Sequence, residues 1–367
     1  MSNAGLRVLF DGDIFLRQRV GGVSRMFVEL AKALPAEGIA PRIFAPWHIN
    51  EFLGELSPVR FPVGQRRITG RAAIAAARRI PAAVTRLAAR WDRARVVHQT
   101  YYPRQDGAPA KAPLVITIHD MIHELDLSFA GDPVIGWKAR AIARADWIAC
   151  VSQHTRQDLV ALFPDAAPKS SVVPLAAALP DATSASRPQS RPYLLYVGER
   201  SRGYKNFGGA LAAYASLRQV NHDFDLVTIG GGPFTAAEQA LISEAKLSGR
   251  VRQFSAADAA LAAWYRHAGC LIYPSTYEGF GIPPLEAMAA GCPVIALRCA
   301  AVPEVCGEAA GYADGPEPEA LAAAIVRVLD DDSFAEALRE AGRSRAAQFS
   351  WQRSAAEYAA IYRKLVN

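Results

Sequence analysis

The chain has 367 residues, 51% of them hydrophobic and 21% charged, with a formal net charge of +6. That length exceeds what one hydrophobic core usually serves, so two domains are expected, and the composition excludes a disordered chain. No apolar run reaches the roughly 18 residues of a spanning helix, and the amino-terminal stretch lacks a secretory signal pattern.

Leu6-Arg7-Val8-Leu9-Phe10 reads as a first strand. It leads into Asp11-Gly12-Asp13 and then Gly21-Gly22, which open a helix from Val23 to Leu34. A glycine pair lets backbone approach a ligand without Cβ obstruction. Residues 64–95 hold nine arginines against one acid, Asp92, with Ala, Ile, Val and Leu between them. This segment reads either as a solvated basic face or as a contact for an anionic membrane surface or a diphosphate-linked lipid acceptor. No aromatic-interleaved reader motif accompanies the charge, so no nucleic acid is expected.

Apolar runs at 42–45, 96–98, 114–118, 147–151 and 171–175 alternate with helical stretches, as in a parallel sheet. Thr117-Ile118-His119-Asp120 places His119 at a strand end. His119 and His123 are four apart without the H-E-x-x-H order, so they make no zinc motif. A polar, proline-rich tract at 181–192 reads as a linker between domains at 1–180 and 193–349. Strands at 193–197, 224–229, 251–254, 270–274 and 293–296 then alternate with helices at 207–219, 234–247, 258–267 and 284–290. Two further helices, near 333–347 and 352–365, close the chain. Two doubly wound halves place a ligand cleft at the carboxyl ends of their strands. Five cysteines without a C-x-x-C spacing read as reduced, packed thiols, which suits a cytoplasmic protein.

Two segments carry the chemistry. Tyr196-Val197-Gly198-Glu199-Arg200-Ser201-Arg202-Gly203-Tyr204-Lys205-Asn206-Phe207 sets three cations at a strand's carboxyl end, where a diphosphate gaining charge would be stabilised. Glu278-Gly279-Phe280-Gly281-Ile282-Pro283-Pro284-Leu285-Glu286 forms a glycine loop at the start of a short helix. Free N–H groups and the positive dipole end make that a phosphate site. The prolines cannot donate, so the donors come from Gly279, Phe280, Gly281 and Ile282. Glu278 and Glu286 cannot both face phosphate and suit sugar hydroxyls instead.

The stretch from Glu278 to Ile295 resembles the donor-site signature of retaining glycosyltransferases of family 4, which have the GT-B fold. The resemblance implies an α/β chain of two Rossmann-like domains with an interdomain cleft. Its closing helix, about 350–367 here, crosses back to the first domain. It implies Lys205 and an arginine, Arg200 in preference to Arg202, on the donor diphosphate. Glu278 would hold the transferred sugar, Glu286 the ribose, His119 the sugar, and Gly21-Gly22 the phosphate and acceptor side. The expected catalytic set is His119, Arg200, Lys205 and Glu278, working without metal or other cofactor, so Asp11 and Asp13 are not expected to bind one.

The combination G-D-I-F, G-G-V-S-R, T-I-H-D and G-Y-K-N-F is most similar to bacterial mannosyltransferases that build surface polysaccharide. GDP-mannose is therefore the expected donor and a glycan or polyprenyl-diphosphate-linked sugar the acceptor, at the inner face of the membrane. A UDP-sugar donor is the alternative, and a sugar-nucleotide epimerase on the same fold is the alternative of another class.

Overall fold

The computed structural model describes residues 5–56, 64–78, 82–104, 107–108, 111–180, 185–219 and 223–367. Arg79 of the basic segment and residues 181–184 of the linker tract lie outside them. The chain divides into two compact units, Met1–Leu175 with Ser350–Asn367, and Ala176–Phe349.

The first unit is built on a six-stranded parallel sheet. Its order is Ile39–Ile43, Leu6–Phe10, Val96–Gln99, Leu114–Ile118, Trp147–Cys150 and Ser170–Val172. Every residue of Leu114–Ile118 is buried, as expected of a strand covered on both faces. The chain order reverses beside the first strand, so the loops after Phe10 and Gln99 meet at a switch point, where such sheets bind ligands.

The closing helix, Trp351–Val366, is capped by Ser350, whose hydroxyl accepts from the Arg353 amide at 3.2 Å. It packs on the first unit through a buried polar chain. His98 Nδ1 lies 2.7 Å from the Tyr362 hydroxyl and His98 Nε2 2.9 Å from Thr117 Oγ1, which is 2.8 Å from the Tyr358 hydroxyl. Ser354 Oγ donates to the Pro174 carbonyl at 2.6 Å. A buried network of this kind fixes one docking position, because any slip leaves polar groups unpaired.

The second unit also carries six parallel strands. They run Val251–Phe254, Asp225–Ile229, Tyr193–Val197, Leu271–Tyr273, Val294–Leu297 and Gly311–Ala313. The last strand and the helix Pro318–Asp330 were not expected from the sequence. All five cysteines are free thiols, four of them buried.

The unit boundary falls at Leu175 and Ala176, earlier than the expected linker. The described part of that tract is bound to the second unit. Ala185 O accepts from His267 Nε2 at 2.9 Å, Arg191 pairs with Asp223 at 2.6 Å, and Pro192 O accepts from Asp225 N at 2.9 Å. Ser186, Arg187, Ser190 and Arg191 are exposed, as the polar composition suggests, while Ala185, Arg191 and Pro192 fix the described part in place.

These buried groups set an acid response. Burial lowers His98 to about 3 and His119 to about 4, while burial and the neighbouring Asp13 raise Asp11 to about 7. Between pH 6.5 and about 4 the unfolded chain therefore holds protons on both histidines, and the native chain holds one on Asp11. Over these three groups the unfolded state binds one more proton, so their own contribution to stability falls on acidification by about 1.4 kcal/mol per pH unit. Urea midpoints at pH 6.5 and 4.5 should show this fall, and Asp11→Asn, which removes the opposing group, should steepen it. A flat or shallower profile in Asp11→Asn would disprove the assignment.

Candidate active site

In the second unit the order of strands reverses between Tyr193–Val197 and Leu271–Tyr273. The loops carrying Lys205 and Glu278 leave the carboxyl ends of these two neighbours, where open α/β sheets bind ligands. The Thr276 amide donates to Tyr204 O at 2.8 Å and ties one loop to the other. Lys205 Nζ donates to Glu278 Oε1 at 2.6 Å, with both side chains largely buried. The Tyr273 ring centroid lies 5.9 Å from that ammonium, and burial followed by the Glu278 charge pushes its phenol well above the ordinary value.

The glycine loop is shaped by three local rules. Gly281 caps the Ile282–Ala289 helix with φ +110°, a left-handed conformation that a side chain would strain. Phe280 is buried against Phe349 in an edge-on contact, with ring centroids 5.8 Å apart. Pro283 and Pro284 occupy the next two helical positions, so Ile282 supplies the only amide donor of the first three. Glu286 sits one turn on and accepts from the Tyr265 hydroxyl at 3.1 Å. Lys205, Glu278 and Gly279–Gly281 thus lie on adjoining loops of one unit, with Ile282 and Glu286 on the helix that follows.

Arg200 does not join them. Its Nε donates to Glu238 Oε1 at 2.8 Å, Nη1 to Gly230 O at 2.5 Å and Nη2 to Gly232 O at 2.7 Å. The guanidinium is buried and stacks 4.8 Å from the Phe234 ring centroid. It is the support around which the turn Gly230-Gly231-Gly232 closes, and a Cβ at Gly231 would lie 2.8 Å from Nη1. Three of the five N–H groups of Arg200, the arginine expected on the diphosphate, are thus held by protein acceptors. Arg202, two residues on, is exposed. The partners of Arg200 lie 30 to 38 residues away, and the run of three glycines was the signal for them.

The first unit holds the remaining expected residues. Gly21 caps the Gly22–Ala33 helix, and the Gln18 side chain occupies the space that a Cβ there would need, 2.5 Å away. That Gln18 side chain accepts from the Ser24 amide at 3.0 Å, and Gly22 is exposed at the helix start. Asp11 accepts from the Thr100 hydroxyl at 2.6 Å and the Thr100 amide at 3.0 Å, while Asp13 pairs with Arg17 at 2.6 Å. The two carboxylates are therefore engaged separately, at the switch point.

His119 follows the Leu114–Ile118 strand, and its Nε2 is buried without a hydrogen-bond partner. Burial keeps the ring neutral, with the Lys138 charge adding to the effect and Asp120 opposing it. Lys138 itself, missed in the sequence, is fully buried, donating to Glu124 at 2.8 Å and to Asp120 O at 3.1 Å. It anchors the backbone that carries His119. No local pattern marks a lysine 18 residues from the carbonyl it holds.

The model of Glycosyltransferase Family 4 matches residues 20–177, and that of Glycosyl transferases group 1 matches residues 181–345. The chain is similar to the O-antigen chain mannosyltransferase B of Escherichia coli, 34% identical over 177 residues, 47% of this chain and 46% of the relative. It is 36% identical over 167 residues to the MMP alpha-(1->4)-mannosyltransferase of Mycolicibacterium hassiacum, covering 44% of this chain and 40% of the relative. The matches span less than half the length of these curated relatives. Among solved structures, sucrose-phosphate synthase from Thermosynechococcus elongatus superposes with a TM-score of 0.76 over 98% of each chain at 21% identity, a likeness of fold. One family model falls on each compact unit, each unit is a Rossmann-like domain, and the chain belongs to the family 4, group 1 glycosyltransferases of GT-B fold.

Proposed function

We propose that the protein is a retaining glycosyltransferase that moves mannose from GDP-mannose onto a glycan or polyprenyl-diphosphate-linked acceptor in surface polysaccharide synthesis. The observation that carries this reading is the Lys205–Glu278 pair, set at the switch point beside the Gly281 helix start. An arriving donor would exchange that pair for two better matched ones. Lys205 would turn to the diphosphate, with the Ile282 amide and helix dipole beside it, and Glu278 to sugar hydroxyls. Glu286 takes the ribose, and the neutral imidazole of His119 offers Nε2 to a sugar hydroxyl. Arg202, exposed on the Lys205 loop, takes the arginine's role on the diphosphate in this reading, in place of the buried Arg200.

In front-face substitution the bond from the anomeric carbon to the phosphate oxygen breaks. The acceptor oxygen bonds from the same face, and its proton passes to the departing phosphate. Charge grows on the diphosphate as the bond breaks, so fixed donors there lower the barrier. The two mannosyltransferase relatives support the choice of sugar. Basic residues of 64–95 would bring the enzyme to an anionic membrane where a lipid-linked acceptor lies.

A melting panel with GDP-mannose, UDP-glucose and ADP-glucose tests the donor, because a ligand that binds only the native state raises its Tm. GDP-mannose is expected to give the largest rise and, with acceptor, an α-linked product, undiminished in chelator. A β-linked product would remove the retaining mechanism. Free epimerised nucleotide sugar without transfer would replace the reading altogether, and recovery of lost activity by magnesium or manganese would reopen Asp11 and Asp13 as ligands.

A further inference from the structure

The helix Ala82–Trp91 leaves a row of large apolar side chains in solvent. Val84, Leu87 and Trp91 are 40%, 67% and 68% exposed, and their spacing of three and four places them on one face. Ala88 and Ala89 face the core instead. Arg86 and Arg90 are exposed beside the row. An apolar stripe flanked by arginines is the pattern of a helix that lies in a membrane interface.

A cavity of about 700 Å³ adjoins the end of this helix. Arg90, Arg93, Arg95 and Lys111 line it together with apolar groups that include Leu365, and no acid is among its described lining residues. The one acid of the basic segment, Asp92, is buried and paired with Arg42 at 2.9 Å, so it does not neutralise the cavity. Arg95 and Pro113 immediately precede parallel neighbouring strands. The cavity therefore lies at the amino ends of the sheet, opposite the carboxyl ends that carry Asp11 and His119.

Arg93 has a conformation that its side chain does not favour. The helix ends in a Schellman turn, with Ala94 N donating to Ala89 O at 3.0 Å and Arg93 N to Arg90 O at 3.1 Å. The left-handed residue of that turn is usually glycine, yet Arg93 holds it at φ +55°. An arginine at this left-handed position, where glycine would fit without strain, places one more cation on the cavity.

We propose that this cavity is a second anion site, specific to the headgroup of an acidic phospholipid, and that Leu87 and Trp91 enter the acyl layer above it. The proposal rests on the membrane-facing reading of the basic segment and names the residues and the lipid class. Headgroup phosphate would meet Arg90, Arg93, Arg95 and Lys111, while the apolar row supplies attraction that salt does not screen.

The test uses the whole chain and sedimentation with vesicles of phosphatidylglycerol and phosphatidylcholine in equal parts, against vesicles of phosphatidylcholine alone. Binding to the anionic vesicles is expected, with quenching of the Trp91 fluorescence by brominated acyl chains, read as the difference from Trp91→Phe. Leu87→Ser with Trp91→Ser should weaken binding at least tenfold, and these exposed positions are not needed for the fold. Arg93→Gly should weaken it roughly fivefold, the worth of one cation near the surface. The same change should hold or raise the Tm, because glycine fits the left-handed turn. Variants that sediment like the parent, or a Trp91 signal untouched by bromine, would remove the site while leaving charge-driven attachment standing. A parent that ignores anionic vesicles at low salt would remove both. Transfer to a soluble acceptor, measured on the same variants, should be unchanged and reports separately on the proposed activity.

Discussion

Lys205→Ala is expected to lower kcat by roughly a hundred- to a thousandfold, the effect of removing one fixed donor from a site of growing negative charge. Affinity for free nucleoside diphosphate should fall as well, since the diphosphate is charged before the transition state. The ion pair adds a consequence. In Lys205→Ala the Glu278 carboxylate, 12% exposed, loses its partner and stands beside the phosphate site. Lys205→Ala with Glu278→Gln should therefore bind free GDP more tightly than Lys205→Ala alone, although it would transfer no better. Glu278→Ala alone should leave GDP affinity at or above the parental level and lower kcat, because the lysine is released from its carboxylate. Glu286→Ala should weaken GDP binding by about 1.5–3 kcal/mol, the worth of a charged hydrogen bond to ribose. Isothermal titration of GDP into the four variants measures the affinities, and a transfer assay on the same proteins measures kcat. Equal losses of GDP affinity in Glu278→Ala and Glu286→Ala would mean that the two carboxylates have been assigned the wrong partners.

The parts of the site that were legible in the sequence are those held by neighbours in the chain. Gly281, Pro283 and Pro284 determine a helix start through φ preference and missing donors, and the helix begins at Ile282, two residues before the expected position. Continuous apolar runs such as Leu114–Ile118 marked strands because both faces of a parallel sheet are covered. Gly311–Ala313 was missed for the opposite reason, being three residues long with a glycine and no apolar run. The Pro318–Asp330 helix was missed although Asp314-Gly315-Pro316 precede it and Pro318 opens it, signals of a helix start that the sequence did carry.

What was not legible depends on partners distant in sequence. His98 reads as one histidine in a strand until Tyr362, 264 positions later, is set against it. Lys138 reads as a surface lysine of an amphipathic helix until the carboxylate of Glu124 and the carbonyl of Asp120 enclose it. The basic segment gave the sequence reading its charge and the apolar residues between its arginines, but not which of them stay exposed. The direction of Leu87 and Trp91 depends on which face of the helix the sheet covers.

Arg200→Met is expected to destabilise the second unit by about 3–5 kcal/mol, because it leaves a buried carboxylate unpaired and two turn carbonyls without donors. For a unit of this size that corresponds to a Tm loss of roughly 6–20 °C. Thr235 and Glu238 also form a capping box, with the Glu238 amide donating to Thr235 Oγ1 at 3.2 Å and the Thr235 amide to Glu238 Oε2 at 2.7 Å. Glu238→Gln keeps that cap while removing the charge, so Arg200→Met with Glu238→Gln should regain part of the lost stability. A diphosphate ligand would behave otherwise. If Arg200 were one, Arg200→Met would leave the melting curve of the free protein nearly unmoved and weaken GDP binding. Arg202→Ala supplies the reverse expectation, a loss of GDP affinity at constant Tm, since Arg202 is exposed. Melting and GDP titration of these three variants therefore separate the arginine that builds the glycine turn from the arginine assigned to the nucleotide. A stable Arg200→Met protein with weakened GDP binding would return the diphosphate to Arg200.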